Sequence, residues 1–149
     1  DADVSLSVET ELLTVRGNRG ILEEIVYNLI DNAIKYNRPS GSVSVSLHAE
    51  SGRPTLRVRD TGIGIPASVQ DRIFERFFRA DKGRSKAIEG TGLGLSIVKH
   101  GAGFHGAEIS VDSTEGVGTE MTVRFPQIEK QDTERQRSRP KIDIPDRTE

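Results

Sequence analysis

The sequence contains no cysteine, so disulfides, thiolate metal sites and sulfur nucleophiles are all excluded, as befits a reducing compartment. It also lacks any apolar run near the roughly 20 residues that span a bilayer, and its acidic start is unlike a signal peptide. The expectation is a soluble piece, cytoplasmic, whose parent can still be anchored in a membrane. Excess charge is missing too: 21 basic against 23 acidic residues leave a net charge of −2. No overall field draws nucleic acid or an anionic membrane, so any anion site must be local. Hydrophobic residues make up only 34%, a low share to which a hydrophilic C-terminal stretch contributes. There is no internal repeat.

What is present suffices for one domain: 149 residues and 16.4 kDa can bury well over half of the unfolded surface. Val4–Val8 and Leu13–Val15 alternate apolar and polar, which predicts two short opening strands. Asn18 can cap a helix over Gly20–Asn37, where Leu22, Ile25, Val26, Leu29 and Ala33 recur at three and four. Val43–Leu47 and Thr55–Arg59 alternate around a turn and read as a hairpin feeding Asp60. Pro66–Arg79 reads as a second helix and Leu93–Phe104 as a third, separated by a glycine-rich, charged loop over Ala80–Gly92 that is expected to be mobile. Ile109–Val111 and Met121–Phe125 close the domain as strands. After Pro126 the apolar pattern stops, and 127–149 is expected to be a disordered tail. This order predicts an α/β (α+β) two-layer sandwich, with about three helices on one face of a mixed, mainly antiparallel sheet, in a domain spanning 1–126.

Three polar sets stand out. On the first helix Glu24, Asn28, Asn32 and Lys35 fall within an arc of about 80° at 100° per residue. Carboxylate and amide oxygens suit Mg2+ and the ammonium suits phosphate; the same stripe could equally be a solvated face, although two mid-helix asparagines are poor helix formers. Asp60-Thr61-Gly62-Ile63-Gly64-Ile65 joins a strand to the second helix. Its glycines permit close backbone approach, and its aspartate can accept a hydrogen bond from an exocyclic amine such as that of adenine. An ordinary Asp-Thr-Gly turn is the plainer alternative. Gly90-Thr91-Gly92-Leu93-Gly94-Leu95 precedes a helix and offers free amides to a phosphate chain. It is neither a Walker loop nor a Rossmann fingerprint. Arg72, Arg76, Arg79, Lys82, Arg84 and Lys86 form either a loop that closes over phosphate or a plain basic surface. Phe74, Phe77 and Phe78 read as packing rather than ligand contacts.

NLIDNAIKY, DTGIGI, IFERFFRAD and GTGLGLSIVK resemble, in that order, the N, first glycine, F and second glycine boxes of bacterial sensor histidine kinase catalytic domains. The resemblance runs from Val4 to Pro126 and extends to the fold shared with gyrase, Hsp90 and MutL, the Bergerat-type ATP-binding fold. The subtype resembles the phosphate-sensing kinases. It implies ATP and Mg2+ as ligands: Asn28 on the metal with Glu24 acting through water, and Asn32 and Lys35 near the phosphates. Tyr36 would lie along base or ribose, Asp60 on the adenine amine, and Gly62, Gly64 and Ile65 around it. Gly90, Thr91, Gly92, Leu93, Gly94 and Leu95 would wrap the phosphates, Arg79 and Lys82 would contact them, and Thr119 would support the adenine site. Glu24 and Asn28 are the implied catalytic residues. His48, His100 and His105 lack the setting of a phosphoacceptor, an acidic residue and a nearby proline in a helix, and read as structural or incidental.

The resemblance therefore implies donation of a phosphoryl group from ATP to a histidine on a separate dimerisation domain, with a response regulator receiver domain as the next partner. The parent would be a membrane-bound homodimer and this fragment a monomer, with no nucleic acid involved. A conformational ATPase of the gyrase or Hsp90 type, or an inactive nucleotide-binding module, are the alternatives.

Overall fold

A computed structural model of the chain describes residues 3–80 and 91–128. In chain order it contains strand β1 (Ser5–Thr10), helix α1 (Arg19–Lys35), strands β2 (Ser42–Glu50) and β3 (Arg53–Asp60), a single 3-10 turn (Ala67–Val69), helix α2 (Gly94–Phe104), and strands β4 (Glu108–Thr114) and β5 (Gly118–Arg124). The strands form one sheet in the order β1-β2-β3-β5-β4; β1 and β2 are parallel and all other neighbours antiparallel. This is the expected α/β sandwich with a mixed, mainly antiparallel sheet. Among the described residues no helix is long and apolar enough to cross a membrane.

The register explains where the core sits. Leu47, Leu56, Val123 and Ile109 are cross-strand neighbours, and so are Val45, Val58, Met121 and Val111. A period of two puts both rows on the same face, where α1 and α2 cover them through Ile25, Leu29, Ala33, Val98 and Ala102. Ile25, Leu29, Val58, Val98 and Val123 are at most 2% exposed, and burying each such side chain contributes about 1.5–3 kcal/mol. The opposite face is charged: Arg57 reaches Glu50 and Glu120 at 2.8 and 2.9 Å, and Arg124 reaches Glu50 at 3.1 Å. Solvent screens partly exposed pairs of this kind, so they add little to stability and serve mainly to keep that face polar.

The helix ends are tied together. Asn18 caps α1 as expected, its Oδ1 accepting the Ile21 amide at 3.1 Å, worth about 1 kcal/mol. The Asn18 amide donates to His105 Nε2 at 3.0 Å, while His105 Nδ1 lies 2.7 Å from the Gly101 carbonyl. A ring nitrogen that accepts from an amide is unprotonated, so Nδ1 carries the proton. His105 is buried and is a structural link between the C-terminus of α2 and the start of α1.

Two expected elements are absent. Leu13–Val15 forms no strand: β1 ends at Thr10, the Glu11 amide makes one last bond to the Leu47 carbonyl, and the chain leaves the sheet for α1, with Val15 packed on the core. In place of a helix over Pro66–Arg79 there is one 3-10 turn followed by successive turns, with bonds from Arg72 to Val69, Glu75 to Arg72 and Phe78 to Glu75. The apolar spacing there is satisfied without a helix, because Ile73, Phe74 and Phe78 still reach the core. Phe77 sits at φ 63°, donates its amide to the Gly92 carbonyl at 2.9 Å and is exposed. The sheet is thus covered by two α-helices rather than three. The expected mobile loop falls, for residues 81–90, outside the described residues, as does the expected tail from 129 onward.

Gly101 lies where α2 crosses α1; a Cβ there would stand 2.9 Å from Ile21 Cγ2 and 3.0 Å from Ile25 Cγ1. Gly101→Val is therefore expected to cost about 1–3 kcal/mol through overpacking. Gly103→Ala adds a methyl that meets nothing within 4 Å and should gain about 0.5 kcal/mol of helix propensity. Urea titrations followed by circular dichroism read both signs.

Candidate functional site

The next row of the core-facing sheet surface beyond Val45, Val58, Met121 and Val111 is Val43, Asp60, Thr119 and Ser113. Strand alternation thus places a carboxylate and two hydroxyls on the apolar side of the sheet, at the open end of the helical layer. A cleft of about 1120 Å³ lies there, walled by α1, the end of β3, the loop 61–66, the segment from Ile73 to Ala80, the β4–β5 turn and the start of α2.

At its sheet end the Asp60 carboxyl is pushed above its ordinary range by burial, an effect opposed by the amides of Gly62 and Thr119. The Gly62 amide donates to Asp60 Oδ1 at 2.8 Å. Gly62 must be glycine, since a Cβ would fall 2.1 Å from the Tyr36 carbonyl oxygen, which also accepts the Ile63 amide at 3.0 Å. Gly64, at φ 67°, presses against the Thr114 carbonyl in the same way. The Ile65 amide donates to Ser113 Oγ at 2.8 Å, and Ser113 Oγ lies 2.7 Å from Thr119 Oγ1. Gln70 Nε2 then bonds the Ile65 and Ser113 carbonyls. Thr119 is 8% exposed, and Tyr36 and Ile65 complete this wall.

At the other end, α1 carries Asn28, Asn32 and Lys35 along the cleft. Asn28 Nδ2 donates back to the Glu24 carbonyl at 2.8 Å, which leaves Oδ1 turned toward α2. A Cβ on Gly94 would stand 3.0 Å from Asn28 Oδ1 and 3.7 Å from Asn32 Oδ1. Two amide oxygens therefore converge over the first turn of α2, whose N-cap Leu93 makes no side-chain cap bond. Hard oxygens suit a cation and uncapped amides suit an anion, so the residues fit a metal-bound polyphosphate. Thr91, Gly92 and Leu95 line the same end.

Some residues singled out from sequence sit elsewhere. Glu24 is exposed one turn before Asn28 and is not part of the wall. Leu93 is not part of the wall either; its carbonyl accepts from Ser96 Oγ at 2.7 Å. Lys35 lines the cleft but is paired with Asp31 at 2.6 Å, a bond that raises its pKa. Arg79 lies in the wall; Lys82 and Gly90 lie outside the described residues.

The structure also adds residues that sequence reasoning passed over. Asp31 was legible as a carboxylate four residues before Lys35. Ser113 shares a sheet row with Asp60, a signal that only the register reveals. Arg38 carries no sequence signal at all, yet its guanidinium meets carbonyls of Thr61, Gly62, Gly116 and Val117. Phe78, besides packing on the core, lines the cleft.

The profile of the family described as histidine kinase-, DNA gyrase B-, and HSP90-like ATPase matches residues 17–129. The chain is 44% identical to the sensor histidine kinase YkoH of Bacillus subtilis over 83% of its own length and 27% of that protein. It is 43% identical to the sensor-like histidine kinase SenX3 of Mycolicibacterium smegmatis over 82% of its own length and 33% of that protein. The chain thus spans about a third or less of these curated relatives. Among solved structures it is similar to the mycobacterial sensor histidine kinase MprB, with a TM-score of 0.75 at 36% identity, over 83% of this chain and 84% of that one. It is also similar to full-length ShkA, solved in complex with AMPPNP, with a TM-score of 0.72 at 30% identity, over 84% of this chain and 26% of that one.

The raised Asp60 pKa carries a stability signature. A carboxyl that holds its proton more tightly when folded contributes stability below its ordinary pKa and loses it as pH rises through the folded value. Asp60→Asn, which retains an oxygen for the Gly62 amide, is expected to melt above the parent protein at pH 7. The gap should close as the pH falls below the ordinary carboxylate range. Ligand-free thermal melts between pH 3 and 7 check this.

Proposed function

The chain belongs to the histidine kinase-, DNA gyrase B- and HSP90-like ATPase family, and from that premise we propose that it binds ATP with Mg2+ and donates the γ-phosphoryl group to a histidine on a separate dimerisation domain. The observation that carries this reading is the arrangement of the two ends of one cleft. A half-buried carboxylate stands at one end, and two amide oxygens over an uncapped helix start stand at the other. An adenine nucleotide has a donor amine at one extremity and a charged, metal-binding chain at the other, and the cleft offers complements in that order.

In this reading Asp60 accepts from the adenine amine, with Thr119, Gly62, Gly64 and Ile65 shaping the base pocket and Tyr36 lying along base or ribose. Asn28 would hold Mg2+ with Asn32 near the phosphates, and the Gly94 and Leu95 amides would meet the chain from α2. Bound there, Mg2+ would neutralise charge on the β- and γ-phosphates. Transfer breaks the bond from the γ-phosphorus to the β,γ-bridging oxygen and forms a bond to an imidazole nitrogen of the acceptor, with ADP leaving. The protein supplies orientation and charge rather than a covalent group. Glu24, exposed beside Asn28, would meet an incoming acceptor or a water on the metal. Lys35 gives its phosphate contact by leaving Asp31, a partly exposed pair that costs little to open. Arg79 would join them at the phosphate end; Lys82 and Gly90, the other expected contacts, lie outside the described residues.

The acceptor belongs to the same parent, a membrane-anchored homodimer whose cytoplasmic portion includes this domain, and a response regulator receiver domain takes the phosphoryl group onward. The isolated chain is a monomer. Its test is reconstitution: with ATP-Mg2+ and an acceptor dimerisation domain, the chain should label the acceptor histidine, and Asn28→Ala should slow labelling by about 100-fold or more. Unchanged labelling by Asn28→Ala would remove the metal assignment. Steady phosphate release at the same rate with and without acceptor would replace the kinase by a conformational ATPase.

A further inference from the structure

Arg38, just beyond α1, is exposed, yet its side chain is held through Nε and Nη2. Its Nε donates to the Thr61 carbonyl, and its Nη2 lies 3.3 Å from the Gly62 carbonyl, 3.0 Å from that of Gly116 and 3.1 Å from that of Val117. Among the described residues no carboxylate pairs with it. One guanidinium thus gathers carbonyls from two turns far apart in sequence, the Asp60–Ile65 loop and the β4–β5 hairpin, both of which wall the cleft.

Peptide planarity turns this contact into control of Asp60. In a trans peptide the C=O of one residue and the N–H of the next point in opposite directions within one rigid plane. Holding the Thr61 carbonyl on Arg38 therefore aims the Gly62 amide the other way, and that amide is the one that donates to Asp60 Oδ1 at 2.8 Å. Holding the Gly62 carbonyl likewise aims the Ile63 amide at the Tyr36 carbonyl, 3.0 Å away. On the hairpin side, the Gly116 carbonyl shares its peptide plane with the Val117 amide, which closes the turn onto the Thr114 carbonyl at 3.0 Å. The Gly116 amide in turn donates to the Ile63 carbonyl at 2.7 Å. Arg38 thus fixes two successive peptide planes of the loop and braces them against the hairpin.

We propose that Arg38 is a positioning residue for base recognition: through the Thr61–Gly62 peptide it sets the direction of the Asp60 carboxylate and so the discrimination between bases with and without an exocyclic amine. This rests on the nucleotide-binding reading of the cleft. Lysine cannot replace it, because a compact ammonium lacks the planar fork that spans two turns at once.

The test is calorimetric titration with ATP and with ITP, which carries the same phosphates but a carbonyl in place of the amine. The wild-type chain is expected to prefer ATP by roughly 10- to 100-fold, the range of a hydrogen bond to a charged group. Asp60→Ala should abolish the preference. Arg38→Ala should reduce it to about threefold or less while weakening ATP, ADP and AMP by one common factor, and Arg38→Lys should behave like Arg38→Ala. Should Arg38→Ala melt below the assay temperature, Arg38→Gln serves the same comparison. A preference kept intact by Arg38→Ala, or fully restored by Arg38→Lys, overturns the proposal. A loss confined to ATP overturns it as well, since it would make Arg38 a phosphate contact. Failure of the wild-type chain to bind either nucleotide would instead overturn the reading of the cleft, and this proposal with it.

Discussion

A carboxylate on the core-facing side of a sheet has two physical options: it gives up its charge, or it is met by donors that replace water. Asp60 stands one sheet row beyond Val58 and Met121, and the structure around it supplies the donors. The Gly62 amide reaches it because Gly62 has no side chain to strike the Tyr36 carbonyl. The loop then returns with Gly64 against Thr114 and the Ile65 amide on Ser113. The cleft's sheet end is therefore a consequence of solvating one charge, and Arg38 holds the planes that do it. That burial opposes ionisation of Asp60, and in the proposed reading an adenine amine would meet the same carboxylate.

The second dependence runs along α1. Ile25, Leu29 and Ala33 face the sheet and α2, and one step around the same cylinder lie Asn28 and Asn32. Any movement of α1 on the core would displace the amides relative to the start of α2, so packing at Gly101 and Ile25 and the geometry over Gly94 are one problem. The His105 link from Gly101 to Asn18 closes this unit at the opposite end. Rigid placement by buried helix contacts is what the proposed phosphoryl transfer would require, since orientation rather than a covalent group does most of the catalysis in such reactions.

Much of this was legible in the sequence, and the exceptions share a cause. The α1 stripe, the β2–β3 hairpin, the Asn18 cap and the closing strands rest on local periodicity that burial then reinforces. The segment after Pro66 shows the limit of that signal. Ile73, Phe74 and Phe78 have helical spacing, but the backbone bonds of this segment go elsewhere: the Phe77 amide goes to Gly92, and the Gln70 side chain goes to Ile65 and Ser113. Leu13–Val15 alternated like a strand but had no neighbour to pair with. In both cases a periodic side-chain pattern was met by packing alone, without the hydrogen bonds that define the element.

By itself the sequence determined the chemistry available: no thiols, no strong net charge, amides on one helix stripe, a carboxylate after a strand and glycines before a helix. These follow from residue type and spacing, which obey the helix and strand periods wherever the segment ends up. Only the tertiary structure decided which of these groups share a cleft. It put Ser113 and Thr119 in a row with Asp60, left Glu24 and Leu93 out of the wall, and joined Arg38 to two distant turns. The reason is that cross-strand register and carbonyl direction depend on partners more than fifty residues away, and no local pattern records them.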